Sequence, residues 1–140
     1  MEGNNIPRRA KVLVVGGGGR EHAIVDALSR SERVEKIFCA PGNAGIARQA
    51  KCVPLEDTQV DELAEFAENE GIDLTVVGPE VSLAAGIVDE FEARGLKIFG
   101  PSRAAARIES SKDFAKELMA KYNVPTAAYR TFSDYDEALA

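Results

Sequence analysis

Four consecutive glycines, Gly16 to Gly19, followed by Arg20, Glu21 and His22, are the residues whose types and order point most directly to chemistry. Glycines let a backbone come close to a ligand. A helix opening just behind them offers unpaired N–H groups and the positive end of its dipole to an anion. Arg20 adds a guanidinium capable of a bidentate contact. The bland alternative is a flexible turn without a ligand, but four glycines are an entropically costly way to make a plain turn. The run therefore reads as a phosphate-holding loop. A P-loop would close on Gly-Lys-Ser/Thr, which is absent. A dinucleotide fingerprint begun at Gly16 or Gly17 would put Glu21 or His22 where a small residue belongs. The next strand also ends Cys39-Ala40-Pro41, without the acid that ribose hydroxyls require.

Two further segments share this character. Pro41-Gly-Asn-Ala-Gly45 ends the second strand; turn chemistry alone accounts for its residue types as well as a ligand would. Gly78-Pro-Glu80 follows the fourth strand, and its carboxylate either accepts hydrogen bonds from a ligand amine or hydroxyl or is a solvated acid at a helix start. His22 is the single histidine and has no acid partner beyond Glu21, so it reads as structural or ligand-orienting rather than catalytic. No nucleophile motif and no paired-carboxylate signature is present.

The elements that must position these residues alternate strictly. Lys11–Val15, Ile37–Ala40, Cys52–Leu55, Leu74–Val77 and Leu96–Phe99 are short apolar runs that read as strands. Pro54 marks the third as an edge or a strand end. Between them fall amphipathic helices: Arg20–Arg30 with Ala23, Ile24, Ala27 and Leu28 inward, Val60 to a Gly71 cap, and Leu83–Arg94. Beyond Ser102 the spacing predicts helices over Ala104–Glu109 and Lys112–Lys121, the latter with Phe114, Ala115, Leu118 and Met119 inward. A strand over Thr126–Phe132 and a capping box at Ser133–Asp136 follow. The chain then stops just inside a helix, which reads as truncation. This alternation predicts an α/β fold, an open parallel sheet with helices on both faces, and places ligands beyond the carboxyl ends of the strands.

Composition sets the outer limits. The chain has 140 residues, 45% hydrophobic and 29% charged, about one globular domain. A net charge of −6 is the wrong sign for a nucleic-acid binder, and the one dense basic cluster, Arg8, Arg9 and Lys11, lies at a leader over residues 1–10. The apolar runs fall far short of the roughly 20 residues that span a bilayer, so no membrane association is expected. Cys39 and Cys52 are too few and too widely spaced for a metal site or disulfide framework, consistent with a reducing, cytoplasmic setting.

In this order, several stretches resemble the phosphoribosylamine–glycine ligase (glycinamide ribonucleotide synthetase) family of ATP-grasp ligases. They are Lys11-Val-Leu-Val-Val-Gly-Gly-Gly-Gly-Arg-Glu-His-Ala23, Ala40-Pro-Gly-Asn-Ala-Gly45, Asp73-Leu-Thr-Val-Val-Gly-Pro-Glu80, Leu96-Lys-Ile-Phe-Gly-Pro-Ser102, Ser111-Lys112 and Val124-Pro-Thr-Ala127. The resemblance implies a Rossmann-like pre-ATP-grasp domain over 11–105, then a hinge and the start of an ATP-grasp region over 106–140. It implies that glycine is joined to 5-phosphoribosylamine at the expense of ATP, with magnesium or manganese, through a glycyl phosphate intermediate in purine synthesis. Carried onto this chain, Gly18, Gly19, Arg20 and Glu21 would sit by the 5-phosphate and ribose. Asn43 and Glu80 would border the sugar or amine, and Lys112 would reach the nucleotide phosphates. Val81-Ser82 replaces the family's usual Ala-Pro, and Ser110 stands where glycine is common. The metal carboxylates and nucleotide-grasping lobes would belong to the remaining ATP-grasp and C-terminal domains of a parent chain, so the fragment alone is expected to be inactive. The alternatives are a Rossmann oxidoreductase using NAD(P) and a non-catalytic phosphosugar-binding module. Saturable binding of NADH would favour the first.

Overall fold

The computed structural model describes residues 9–139, and the chain divides into two compact units, Met1–Ala106 and Arg107–Ala140. The first unit holds a five-stranded, all-parallel sheet of order β3-β2-β1-β4-β5. Its strands are β1 (Ala10–Gly16), β2 (Val34–Pro41), β3 (Lys51–Cys52), β4 (Leu74–Val77) and β5 (Ile98–Phe99). Its helices are α1 (Gly19–Ser29), α2 (Val60–Glu70), α3 (Glu80–Ala85), α4 (Ile87–Ala93) and the beginning of α5 (Arg103–Ser110).

β1 is the centre of the sheet because its side chains are apolar on both faces. Leu13 and Val15 join Phe38, Leu63, Ala67, Ile87 and Phe91 on the face covered by α2 and α4. Val14 points the other way, to Val25 of α1, Ile37, Cys39 and Ile46. A strand buried on both faces needs such a continuous branched run, and each fully buried Val, Leu or Phe contributes about 1.5–3 kcal/mol. β3 is an edge strand, as Pro54 leads one to expect.

Several local expectations need correction. β1 starts at Ala10, which is 4% exposed and paired with Val34, so the strand reaches into the segment read as a leader; residues 1–8 of that leader lie outside the described residues. Lys11 belongs to the sheet as well, its amide donating to Asp73 Oδ2 at 2.8 Å and its ammonium to the Glu70 carbonyl at 2.9 Å. The inner stripe of α1 is Glu21 and Val25 flanked by Ile24 and Leu28, while Ala23 and Ala27 are exposed. The helix read as Leu83–Arg94 is two helices, because Gly86 takes φ +93° and ends α3.

The second unit carries α6 (Lys112–Lys121) and α7 (Tyr135–Leu139). Ser111 caps α6 through the Phe114 amide at 3.3 Å, and the Arg107 guanidinium stacks 4.0 Å from the Phe114 ring centre. The strand expected over Thr126–Phe132 does not form; those residues are exposed coil. A strand needs a neighbour to take its backbone bonds, and this unit offers none among the described residues. Lys116 instead donates to Thr126 Oγ1 at 2.6 Å and to the Ala127 carbonyl at 3.1 Å. The cap of α7 is Asp134, not Ser133: its Oδ1 accepts from the amides of Asp136 and Glu137 at 2.8 and 3.1 Å.

Candidate functional site

The carboxyl ends of β1, β2 and β4 lie side by side, and the loops that leave them carry the three motifs. Chain order reverses between β1 and β4, so these loops stand at the switch point where open α/β sheets receive ligands.

The loops are bonded to one another. Gly42 donates its amide to the Gly16 carbonyl at 3.2 Å, and Gly78 donates to the Val15 carbonyl at 3.1 Å. Asn43 is the clamp of the middle loop. Its Nδ2 donates to the Gly17 carbonyl at 2.8 Å, while its Oδ1 accepts from the amides of Gly45 and Ile46 at 2.8 and 2.9 Å. Close approach requires glycine at Gly17, where a Cβ would lie 2.7 Å from the Gly42 carbonyl oxygen. The Ala40–Pro41 peptide bond is cis. His22 packs on this loop, its Cε1 2.8 Å from where a Cβ of residue 45 would sit, which fits an orienting residue.

Behind the glycine run α1 begins at Gly19, with Gly18 as N-cap. The first-turn amides of Gly19 and Arg20 have no helical carbonyl to bond and lie at the positive end of an 11-residue helix. Glu21 is the surprise. It is 3% exposed and turns back beneath the loop, where Oε2 accepts from the Gly18 amide at 2.7 Å and Oε1 from Arg20 Nε at 3.0 Å. Its carboxylate occupies the space that side chains at Gly16 and Gly78 would need. Glu21 therefore shapes the glycine loop from inside rather than lining its outer surface. Glutamate at the third helical position was the available signal, since that residue reaches back to its own N-cap amide.

Arg20 lies over the site, half-exposed, shared between Glu21 and Glu80, whose Oε2 is 3.4 Å from Nη2. The Glu21 bond above all, with Glu80 adding to it, pushes the guanidinium pKa further up. Glu80, at the start of α3, is held below the ordinary glutamate value, first by its own backbone amide and then by Arg20. A depressed carboxyl contributes above the ordinary value and loses that contribution as pH falls through the lowered one. An NMR titration of the Glu80 carboxyl carbon is thus expected to give a midpoint below the ordinary 4.5, and Arg20→Ala should raise it only part of the way. A wild-type midpoint at or above the ordinary value would contradict the Arg20–Glu80 contact.

Gly18, Gly19, Arg20, Glu21, Asn43 and Glu80 are thus gathered at one end of the sheet. Lys112 is elsewhere in the chain, exposed at the first turn of α6 in the second unit. Among the described residues, no group of three His, Cys, Asp or Glu side chains is placed to hold a metal ion, and no helix is long and apolar enough to cross a membrane. The assembled site offers backbone amides, one guanidinium and one exposed carboxylate: it can bind and orient, and it holds no nucleophile.

Known proteins bear on what is bound. Residues 10–109 match the family described as phosphoribosylglycinamide synthetase, N domain. A phosphoribosylamine–glycine ligase of Caldanaerobacter subterraneus subsp. tengcongensis is 63% identical over 129 residues, covering 92% of this chain and 31% of that protein. One from Neisseria meningitidis serogroup B is 58% identical, covering 91% and 30%. The crystal structure of the Thermotoga maritima phosphoribosylamine–glycine ligase superposes with a TM-score of 0.58 at 31% identity, over 84% of this chain and 26% of that one. The N5-carboxyaminoimidazole ribonucleotide synthetase of the same organism shares the fold, with a TM-score of 0.67 at 17% identity over 93% and 35% of the two chains. The chain spans about a third of the length of the curated relatives it matches. These relatives do not favour an NAD(P) oxidoreductase or a non-catalytic module. With its sheet, its glycine run and this match in agreement, the chain belongs to the phosphoribosylglycinamide synthetase N-domain family.

Proposed function

We propose that this chain supplies the ribotide-holding part of a cytoplasmic ligase that joins glycine to 5-phosphoribosylamine, with ATP converted to ADP and phosphate, in de novo purine synthesis. The observation that carries the reading is the interlocked cradle of Gly16–Gly19, Asn43 and Glu80 at the switch point, with the free end of α1 behind it. Gly18, Gly19 and Arg20 hold the 5-phosphate and ribose, braced by Glu21. Arg20 has five N–H donors and spends one on each of Glu21 and Glu80, which leaves donors for a phosphate. Asn43 and Glu80 border the sugar and its amine, where the Glu80 carboxylate accepts hydrogen bonds and orients the nitrogen.

In the reaction the glycine carboxylate takes the terminal phosphate of ATP to form glycyl phosphate, and the ribosylamine nitrogen displaces phosphate to form the amide. Lys112 is assigned to the nucleotide phosphates. Residues 11–105 form the substrate-binding unit and residues 106–140 open an ATP-grasp region, with the hinge straddling that boundary between about Ser102 and Lys112. Magnesium or manganese is assigned to the longer protein of which the relatives are examples; among the described residues no group of three His, Cys, Asp or Glu side chains is placed to hold it. The partners are the small substrates and the remaining domains of such a protein, without nucleic acid or membrane.

The test uses Arg20→Ala and Gly18→Val in the protein carrying this chain, titrated separately with the ribotide product and with ATP. A Cβ at position 18 would stand 2.9 Å from Glu21 Oε2, so the second change disturbs the cradle directly. Ribotide affinity is expected to fall about tenfold or more, the loss of one charge-assisted contact, with ATP affinity nearly unchanged. Equal loss of both would mean that the loop serves the nucleotide or only the fold.

A further inference from the structure

Arg20 is shared by two carboxylates that differ in freedom. Glu21 is buried and fixed, with Oε2 on the Gly18 amide and Oε1 on Arg20 Nε at 3.0 Å. Glu80 is half-exposed, and its Oε2 meets Arg20 Nη2 at the longer distance of 3.4 Å. An exposed ion pair of that length contributes little, because water screens it and two long side chains must be held still. The backbone amide of Glu80 itself is the first cause of its lowered pKa, ahead of Arg20. The carboxylate thus keeps a partner when it leaves the guanidinium.

One guanidinium against two carboxylates leaves these three side chains with one net negative charge. That is the wrong sign for an anion, although the glycine run beside them leads into the positive end of an 11-residue helix. Arg20 has donors to spare, yet an anion on them would lie close beside the Glu80 carboxylate, and their repulsion outweighs so weak a pair. Glu80 is the carboxylate that can give way. Expelling Glu21 instead would strip the Gly18 amide of its partner and empty the space beneath Gly16 and Gly78.

We propose that Glu80 sets the specificity of the cradle by exchange: an anionic group of the ligand takes its place on Arg20, and the released carboxylate accepts a hydrogen bond from a donor on the same ligand. A bare anion must displace Glu80 and offers it nothing in return. A phosphate ester whose far end carries an N–H or O–H replaces the lost contact. The cradle therefore favours ligands that hold both groups and disfavours free phosphate. This deepens the function proposed above and rests on it.

The test uses Glu80→Ala and Glu80→Gln in the protein carrying this chain, with inorganic phosphate and the ribotide product as separate probes. Phosphate should bind both variants about tenfold more tightly, because the competing charge is gone. In Glu80→Ala the product should fall about thirtyfold relative to phosphate, the value of one hydrogen bond to a charged group, and so bind about threefold more weakly than in the wild type. Glu80→Gln keeps an acceptor and should hold the product near its wild-type affinity. A damaged fold would weaken both ligands together, so the opposite signs in Glu80→Ala are the signature. Equal shifts of the two ligands in that variant, or no gain for phosphate in either, overturn the proposal. If Arg20→Ala weakens neither ligand, the proposed function itself fails.

Discussion

Gly78→Ala is expected to lower the stability of the first unit by about 3 kcal/mol, the sum of overpacking and of a displaced, hydrogen-bonded carboxylate. The added Cβ would overlap Glu21 Oε1 and stand 2.5 Å from its Cδ and 2.7 Å from its Cγ. A flexible acid on a surface would swing aside. Glu21 has nowhere to go: Oε2 is held by the Gly18 amide, Oε1 by Arg20, and a Cβ at Gly16 would be 2.7 Å from its Cγ on the other side. Either the acid is expelled and the Gly18 amide loses its partner, or the loop after β4 lifts from Val15. Denaturant unfolding of the single and double variants separates this clash from any general intolerance. With Glu21→Ala in the background the obstacle is gone, so the double variant should be no less stable than Glu21→Ala alone, a coupling of about 3 kcal/mol. Strictly additive losses would remove Glu21 from the explanation.

That cradle was legible in outline but not in its inner logic. The strand ends could be read because each is punctuated by glycine or proline at Gly16, Pro41, Gly78 and Gly100, and β4 and α6 fall over the residues expected. Apolar periodicity fails where a backbone feature overrides it. Gly86 interrupts a pattern that otherwise continues to Arg94, and only its left-handed conformation breaks the helix. Alanine carries little information about facing, so α1 turned out rotated, with Val25 rather than Ala23 and Ala27 inward. Thr126–Phe132 has the residue types of a strand, yet strand formation is a property of pairs. The same holds for function. A glutamate beside an arginine after four glycines suggests two ligand contacts. Only the packing shows that one of them fills the space left by two glycines 62 positions apart, Gly16 just before it and Gly78 far along the chain. Long-range complementarity of this kind leaves no local spacing to read.

Asn43→Asp is expected to have the largest effect on ligand binding, because two losses act in the same direction. The aspartate keeps the acceptor bonds from Gly45 and Ile46, so the turn itself survives. It loses the Nδ2 donor and sets a carboxylate oxygen against the Gly17 carbonyl, now 2.8 Å from that donor, which pushes the middle loop from the glycine run. It also adds a negative charge beside a loop proposed to hold a phosphate. At an effective dielectric near 20 and a separation of about 8 Å, one such pair of charges repels by about 2 kcal/mol, or roughly thirtyfold in affinity. Asn43→Ala loses all three hydrogen bonds but adds no charge. The two variants should therefore change places: alanine the more damaging to stability, by about 1–2 kcal/mol, and aspartate the more damaging to ribotide affinity. Added salt should narrow the gap in affinity, since this partly exposed repulsion is screened. If aspartate and alanine weakened binding alike at low salt, the ligand portion at the glycine run would carry no negative charge, and the phosphate would have to be held elsewhere.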